Sequence, residues 1–361
     1  MLMSRFMQRI PRGQLLRRCL GGLFLALTIF CETAPLRAET SSQVPGLLQT
    51  AKRAADEGNL TQATADYERA VQLAPDNLQA NRGLVLSYLQ SGHLQQAAQA
   101  VNAALKRWPD DPVLLHWAGL LYFKAGRNEP ALQMLERSAQ LDSSHFDIHF
   151  DLALVMLTLN QYGPAADQLE KAIQLKPSEG IAHVLLGRAY QNSNRTLQAV
   201  EQFQTALKLD PATKLGHYHL GFAYASLGRN QEAIAEYQKE LVRNPADAEV
   251  LYQLGHCLIE TGDLKSASGY LRKSVAADST KADAYYDLGK ALLLQGDVDG
   301  AVSALQRAAE LKPTDPSPHY QLARAFEKLG KKEDAQRERQ RFADLKKAQP
   351  QTGGMATGRI Q

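Results

Sequence analysis

A spacing of 34 residues runs through most of this chain. Ala51, Val85, Gly119, Ala153, Gly187, Gly221, Gly255, Gly289 and Ala323 fall on it, all small except Val85, and twelve residues beyond each stands an alanine, from Ala63 to Ala335. A third column holds only glycine and asparagine: Gly58, Gly92, Gly126, Asn160, Asn194, Gly228, Gly262, Gly296 and Gly330. These two residues enter the left-handed αL conformation at least cost, so the column predicts a helix closed at its C-terminus by an αL residue. A fourth column, Pro75, Pro109, Ser143, Pro177, Pro211, Pro245, Ser279 and Pro313, predicts the end of a second helix, because proline cannot continue one. Pro130 and Pro164 stand just before the alanine column, in a first helical turn where a missing N–H is harmless. Each unit therefore reads as a helix, a tight turn and a second helix of similar length, in a register that never slips.

The glycine at 221 sits inside LGFAYASLG, where it costs about 1 kcal/mol relative to alanine. The expectation is that Gly221 on the first helix and Ala233 on the second give up side chains so that the two backbones can cross closely.

The pattern of Tyr285, Leu288, Gly289, Leu292, Ala301, Leu305, Ala308 and Pro313 resembles the tetratricopeptide repeat, as does that of Leu220, Gly221, Tyr224, Ala233, Tyr237 and Pro245. The resemblance implies an all-α fold, a right-handed α-solenoid of helix-turn-helix repeats. They are placed at 44–77, 78–111, 112–145, 146–179, 180–213, 214–247, 248–281, 282–315 and 316–347. The second helix of the ninth unit carries charge nearly all round, with Phe342 and Leu345 as its main large apolar residues. A terminal repeat must present such a wet face, since nothing stacks on it. The tail at 348–361, rich in Gly, Gln and Thr, is expected to be disordered.

Residues 1–38 have the layout of a bacterial export signal. Arg5, Arg9, Arg12, Arg17 and Arg18 precede an apolar run from Cys19 to Phe30, and cleavage is expected after Ala38 or Ala34. Residues 39–43 read as a short linker. The apolar run is short for a membrane span, so a membrane is expected to be touched only through an uncleaved signal. The signal holds six of the 41 Lys and Arg and one of the 38 Asp and Glu, leaving the remainder near −2. Such a chain has no global field for nucleic acid. The expected location is the periplasm or the exterior. Cys257, the one cysteine left after cleavage, reads as a buried apolar filler.

In tetratricopeptide solenoids the first helix of each repeat lines a concave surface, and the resemblance places function there. Repeat positions 5, 9 and 12 give two districts. Leu86, Leu89, Leu120, Phe123, Phe150, Leu154 and Leu157 form an apolar one. A mixed one combines Arg188, Phe222, Lys290 and Arg324 with a ladder of Tyr218, Tyr252, Tyr286 and Tyr320. Apolar anchors, tyrosine and arginine are common binding hot spots, so the expected function is a protein-protein interaction scaffold holding a peptide or protein segment in the groove. Alternatives are a glycan-binding protein using the tyrosine ladder and a homo-oligomer formed through the apolar district. His149, His183, His217 and His319 share position 4, but equivalent residues of successive repeats stand a whole repeat apart. They read as core substitutes and not as a metal site. No catalytic motif and no cofactor signature occurs, and the Lys-x-x-x-Asn pairing that clamps acidic C-termini in some relatives never appears at positions 5 and 9.

Overall fold

The structure, a computed structural model, describes residues 34–348, and among these every regular element is an α-helix. The helices follow in pairs: α1 (Ala34–Asp56) with α2 (Leu60–Leu73), α3 (Leu78–Gln90) with α4 (Leu94–Leu105), α5 (Pro112–Lys124) with α6 (Asn128–Leu141). Next come α7 (Phe146–Thr158) with α8 (Tyr162–Leu175), α9 (Gly180–Asn192) with α10 (Thr196–Leu209), and α11 (Gly216–Ser226) with α12 (Asn230–Arg243). The series ends with α13 (Ala248–Thr261) and α14 (Leu264–Ala277), α15 (Ala282–Gln295) and α16 (Val298–Leu311), α17 (Ser317–Lys328) and α18 (Lys332–Ala348). Most of the expected export signal, and the tail beyond 348, lie outside the described residues. Residues 39–43 belong to α1, where the sequence suggests a linker. No described helix is long and apolar enough to cross a membrane.

All nine residues of the Gly/Asn column have positive φ, Asn160 at 59° and Asn194 at 60° included. The αL residue lets the next N–H turn back on the helix it has just left. At α11 the Arg229 N–H donates to the Tyr224 carbonyl at 2.9 Å, which also accepts from the capping Leu227 N–H at 3.0 Å. The side chains reinforce this turn, with the Arg127, Arg195 and Arg229 guanidinium groups over the Tyr122, Tyr190 and Tyr224 rings at 4.8, 4.2 and 4.5 Å. One further non-glycine residue has positive φ: Leu215, at 58°. It caps α11, which starts two residues later than the repeat register predicts.

The described residues up to Ala80 cluster as one compact unit and those from Asn81 on as a second. Val44, Ala70 and Ala80 are the buried centre of the first, with Leu47, Leu48, Val71 and Leu73 packed round them. In the second unit, from α5 on, each first helix packs on its own second helix, and that second helix packs on the next first helix. Successive first helices also touch, α11 on α13, α13 on α15 and α15 on α17. This is an all-α solenoid. Its last helix, α18, buries only Ala335, as a terminal repeat requires.

The backbones do come close at the glycine column, where a Cβ on Gly119, Gly255 or Gly289 would lie 3.3–3.4 Å from the carbonyl oxygen of Ala131, Ala267 or Ala301, but the glycine does more than that. A Cβ on Gly221 would lie 2.9 Å from Cδ1 and from Cε1 of Tyr237. On Gly187 it would meet Phe203, and on Gly119, Gly255 and Gly289 it would meet Leu135, Leu271 and Leu305. What the glycine admits is therefore a large side chain four residues beyond the alanine, which it lets lie flat against bare backbone. Tyr237, Phe203, Leu135, Leu271 and Leu305 are all fully buried. The small residue on one helix and the large one on the other are two halves of one packing unit.

Candidate functional site

The first helices present a mixed face. Leu86 and Phe222 stand 38% and 37% exposed on it, and Tyr320 50%. Arg188 and Arg324 are exposed, while Leu89, Phe123, Phe150, Leu154, Leu157, Tyr218, Tyr252, Tyr286 and Lys290 are half-buried. Leu120 is not part of this face. It is buried together with Leu114, Leu115, Ala118, Gly119 and Leu121, because α5 is apolar on nearly every side and is covered over more than one stripe. The apolar district is also shallower than expected. Phe150 stacks on Phe146 with ring centres 5.2 Å apart, and Phe150, Leu154 and Leu157 pack against the core.

The tyrosines form no continuous stack, because each is engaged within its own surroundings. Tyr218 lies 6.2 Å from Tyr237 and 6.3 Å from Phe222, Tyr252 lies 5.0 Å beneath the Lys281 ammonium, and Tyr320 packs 5.6 Å from Phe342. Burial pushes the Tyr218 hydroxyl up to about 12, helped by Glu249 and Asp247, and raises that of Tyr252 as well.

Charges on this face are mostly closed by partners one repeat away. The His116 Nε2 lies 2.7 Å from the Asp151 carboxylate, and His256 Nδ1 lies 2.8 Å from Asp287. The hydrogen bond to Asp287 raises the His256 pKa, whereas burial raises that of Asp151, whose Oδ1 has no hydrogen-bond partner. Arg82 pairs with Asp111, and Lys290 lies 3.5 Å from Glu260. Arg324 donates to the Gln321 Oε1 at 3.1 Å. Of the three cations the sequence assigns to the groove, Arg188 alone has no hydrogen-bond or ion-pair partner for its guanidinium among the described residues.

Of the position-4 histidines, His149, His183 and His319 are buried and His217 is half-buried. His149, His183, His217 and His319 each bring Nδ1 to the residue nineteen positions on: Gln168 at 2.7 Å, Gln202 at 2.8 Å, Glu236 at 2.6 Å and Glu338 at 2.5 Å. In His149 and His183 the other nitrogen donates to a backbone carbonyl, of Ser143 and Pro177. Each Nδ1 is thus spent inside its own repeat, and the Nε2 of His149 and of His183 on the segment that ends the repeat before. Cys257 is buried, and burial pushes its thiol up to about 11, so it is an unreactive filler.

Two hollows remain. The larger, about 700 Å³, opens between the second helices α6 and α8 with His149, Gln168 and Met156 among its lining. Its histidine is already satisfied on both nitrogens, and it lies away from the first-helix face. The smaller, about 180 Å³, lies on that face between α9 and α11 and is lined by Arg188, Gln191, Asn192, Tyr218, His219 and Phe222. The spacing i, i+3, i+4 puts the three α9 residues on one helical face. The Gln191 Nε2 is buried and unpartnered, and burial, followed by the Arg188 charge, pushes His219 down to about 4. The sequence does not single out Gln191 and Asn192, and offers His219 only as one half of the HYH pair at 217–219. The signal was there in the helical spacing from Arg188 and in the register of His219.

Three comparisons bear on this architecture. The family model described as tetratricopeptide repeat matches residues 48–112, 118–180 and 184–249, and that of the cilia and flagella-associated protein 70 middle TPR-like domain matches 218–346. No curated protein matches the chain. Among solved structures, the Cut9-Hcn1 hetero-tetramer of APC/C is 18% identical with a TM-score of 0.50, over 74% of this chain and 52% of that one. A tetratricopeptide repeat protein from Parabacteroides merdae is 15% identical with a TM-score of 0.48, over 69% and 98%. A fragment of MamA from Desulfovibrio magneticus is 24% identical with a TM-score of 0.44, over 48% and 97%. With the family model covering more than half of its residues, the chain belongs to the tetratricopeptide repeat family, whose repeats are protein-binding scaffolds.

Proposed function

We propose that this chain is a non-catalytic scaffold that holds a protein or peptide segment on the face built by its first helices, in a bacterial cell envelope. The observation that carries the reading is the composition of that face. Leu86, Phe222 and Tyr320 are large apolar residues left in water along it, and Phe222 lines one hollow with Arg188, an arginine with no partner of its own. Aromatic residues and arginine dominate binding energy at protein interfaces, and a preformed face spares the partner the cost of ordering it. The half-burial of Tyr218, Tyr252 and Tyr286 leaves little open ring face for stacking on sugars, so a peptide is the better-supported occupant. Export rests on the signal layout of residues 1–38.

Crosslinking mass spectrometry in the native host tests the scaffold. Partner crosslinks should gather on the first-helix lysines Lys124 and Lys290 and fall away in Leu86→Asp, whose side chain is exposed enough to spare the fold. Crosslinks confined to the second-helix lysines Lys171, Lys239 and Lys265 would refute the assignment. For export, N-terminal sequencing of protein from the periplasmic fraction should begin at Glu39 or Pro35. Full-length protein found only in the cytoplasm removes that part of the proposal.

A further inference from the structure

The hollow between α9 and α11 has a counterpart two repeats on, and the comparison shows what it lacks. His256 stands 68 residues after Arg188, and Asp287 stands 68 after His219, so the two pairs occupy equivalent places in the solenoid. Between α13 and α15 the base and the acid meet at 2.8 Å. Between α9 and α11 the base is an arginine, and at the position of Asp287 the chain has His219. That ring stacks on Phe203 with centres 5.5 Å apart and offers the guanidinium no negative charge.

We infer that this hollow receives one carboxylate from the bound segment, an Asp or Glu side chain, which stands where Asp287 stands in the closed pair. The inference rests on the scaffold reading and adds the chemistry of one subsite to it. Size agrees, since about 180 Å³ admits a single side chain and is well below the roughly 300–1,000 Å³ of sites for drug-sized ligands. Donors agree also. Beside the guanidinium, which can grip a carboxylate with two parallel bonds, lies the unpartnered Gln191 amide nitrogen. The acids nearest Tyr218 do not compete for Arg188, being already engaged. Glu240 accepts from the Tyr218 N–H at 3.3 Å, Glu249 pairs with Lys281, and Asp247 caps α13 through the Glu249 and Val250 amides. Phe222 and the Tyr218 ring wall the opening and suit an apolar neighbour of the acidic residue. With burial and Arg188 together keeping His219 uncharged near neutral pH, the hollow carries a single net positive charge, which one carboxylate neutralises.

The test titrates the capped peptide acetyl-Ala-Glu-Phe-Ala-amide and its Glu-to-Gln counterpart into the isotope-labelled chain, following the amide shifts of α9 and α11. The Glu peptide should saturate those shifts with an affinity at least about tenfold above the Gln peptide, the scale of one charge-assisted contact. Arg188→Gln should abolish the preference, as should His219→Asp, which supplies the acid from within. Lys290→Gln, whose lysine is already paired, should leave it intact. Equal affinity for the two peptides, or a preference retained in Arg188→Gln, overturns the inference. The scaffold reading fails separately. Partner crosslinks that persist in Arg188→Gln while the peptides bind equally would remove the subsite and keep the scaffold, whereas selective Glu-peptide binding without first-helix crosslinks would do the reverse.

Discussion

Replacing Gly187 by alanine isolates the packing rule on which the repeats depend. A helix interior gains about 0.5–1 kcal/mol when glycine becomes alanine, so propensity alone predicts a more stable protein. The structure predicts the opposite. The new Cβ would lie 2.5, 2.8 and 2.9 Å from Cε1, Cδ1 and Cζ of Phe203, where carbon atoms settle at about 3.5–4.0 Å. Phe203 is fully buried, and its ring is held on its other side by the stacked His219, so it has nowhere to retreat. Overpacking of this kind costs about 1–3 kcal/mol. Set against the propensity gain, the net loss should fall in the range of about 0–2.5 kcal/mol, with about 1 kcal/mol at its centre, confined to α9, α10 and their neighbours.

The chain itself holds the compensated pair, because the equivalent residues of the fourth repeat are Ala153 and Leu169, both fully buried. Gly187→Ala combined with Phe203→Leu should therefore be more stable than the sum of the two single changes by at least about 1 kcal/mol, a coupling typical of contacting residues. Hydrogen exchange of the α9 and α10 amides is the suitable assay, since a repeat array unfolds in parts and a single melting midpoint would mix them. A Gly187→Ala protein at least as stable as the parent, or single effects that add to within about 0.5 kcal/mol, would refute the reasoning.

His219 should titrate near 4 by NMR instead of near the usual 6.5, and between those values the unfolded chain binds more protons than the folded one. Stability should accordingly fall as the pH drops through this window, and His219→Gln should flatten that limb of a urea-denaturation series; a ring titrating near 6.5 would refute the cause. His116→Ala leaves the Asp151 carboxylate buried without its partner and should cost about 3–5 kcal/mol, most of it recovered when Asp151→Asn is added. Equal protection of the α5 to α8 amides from hydrogen exchange in the single and double variants would show that the carboxylate is not what makes the loss.

The αL column was legible because backbone conformation there is decided by one residue, and Gly and Asn answer the same demand. Asn160 and Asn194 mark their turns as firmly as the glycines do. Helix ends at the Pro/Ser column were legible for a like reason. The partner of the small residue was not, because Gly221 announces only that something must come close, and Tyr237 is identified by the rotation of α12 about its own axis. Leu120 was misread because a repeat position assigned to the groove says nothing of how far neighbouring helices cover an all-apolar α5. At α11, Leu215 in the αL region and the late helix start came from a loop sequence that departs from the spacing locally while the register recovers by Gly221. The hollow between α9 and α11 needed neighbours from two repeats at once, which no single motif contains.

The pairing of equivalent positions gives the face its logic. Each acid and base that meets across two repeats ties those repeats together, as Asp287 ties α15 to α13 through His256. At Arg188 no such tie is made, so a bound carboxylate would both fill the hollow and add a link between α9 and α11. Binding of a ligand to the folded form alone stabilises it by RT ln(1 + [L]/Kd), about 2.7 kcal/mol at a hundredfold excess over Kd. In a solenoid that gain should appear first at the repeats that are bridged. Saturating Glu peptide should therefore slow hydrogen exchange in α9 to α12 more than in α13 to α16, where the tie is already made. Uniform slowing along the array, or none at α9, would mean that the carboxylate does not act as the link.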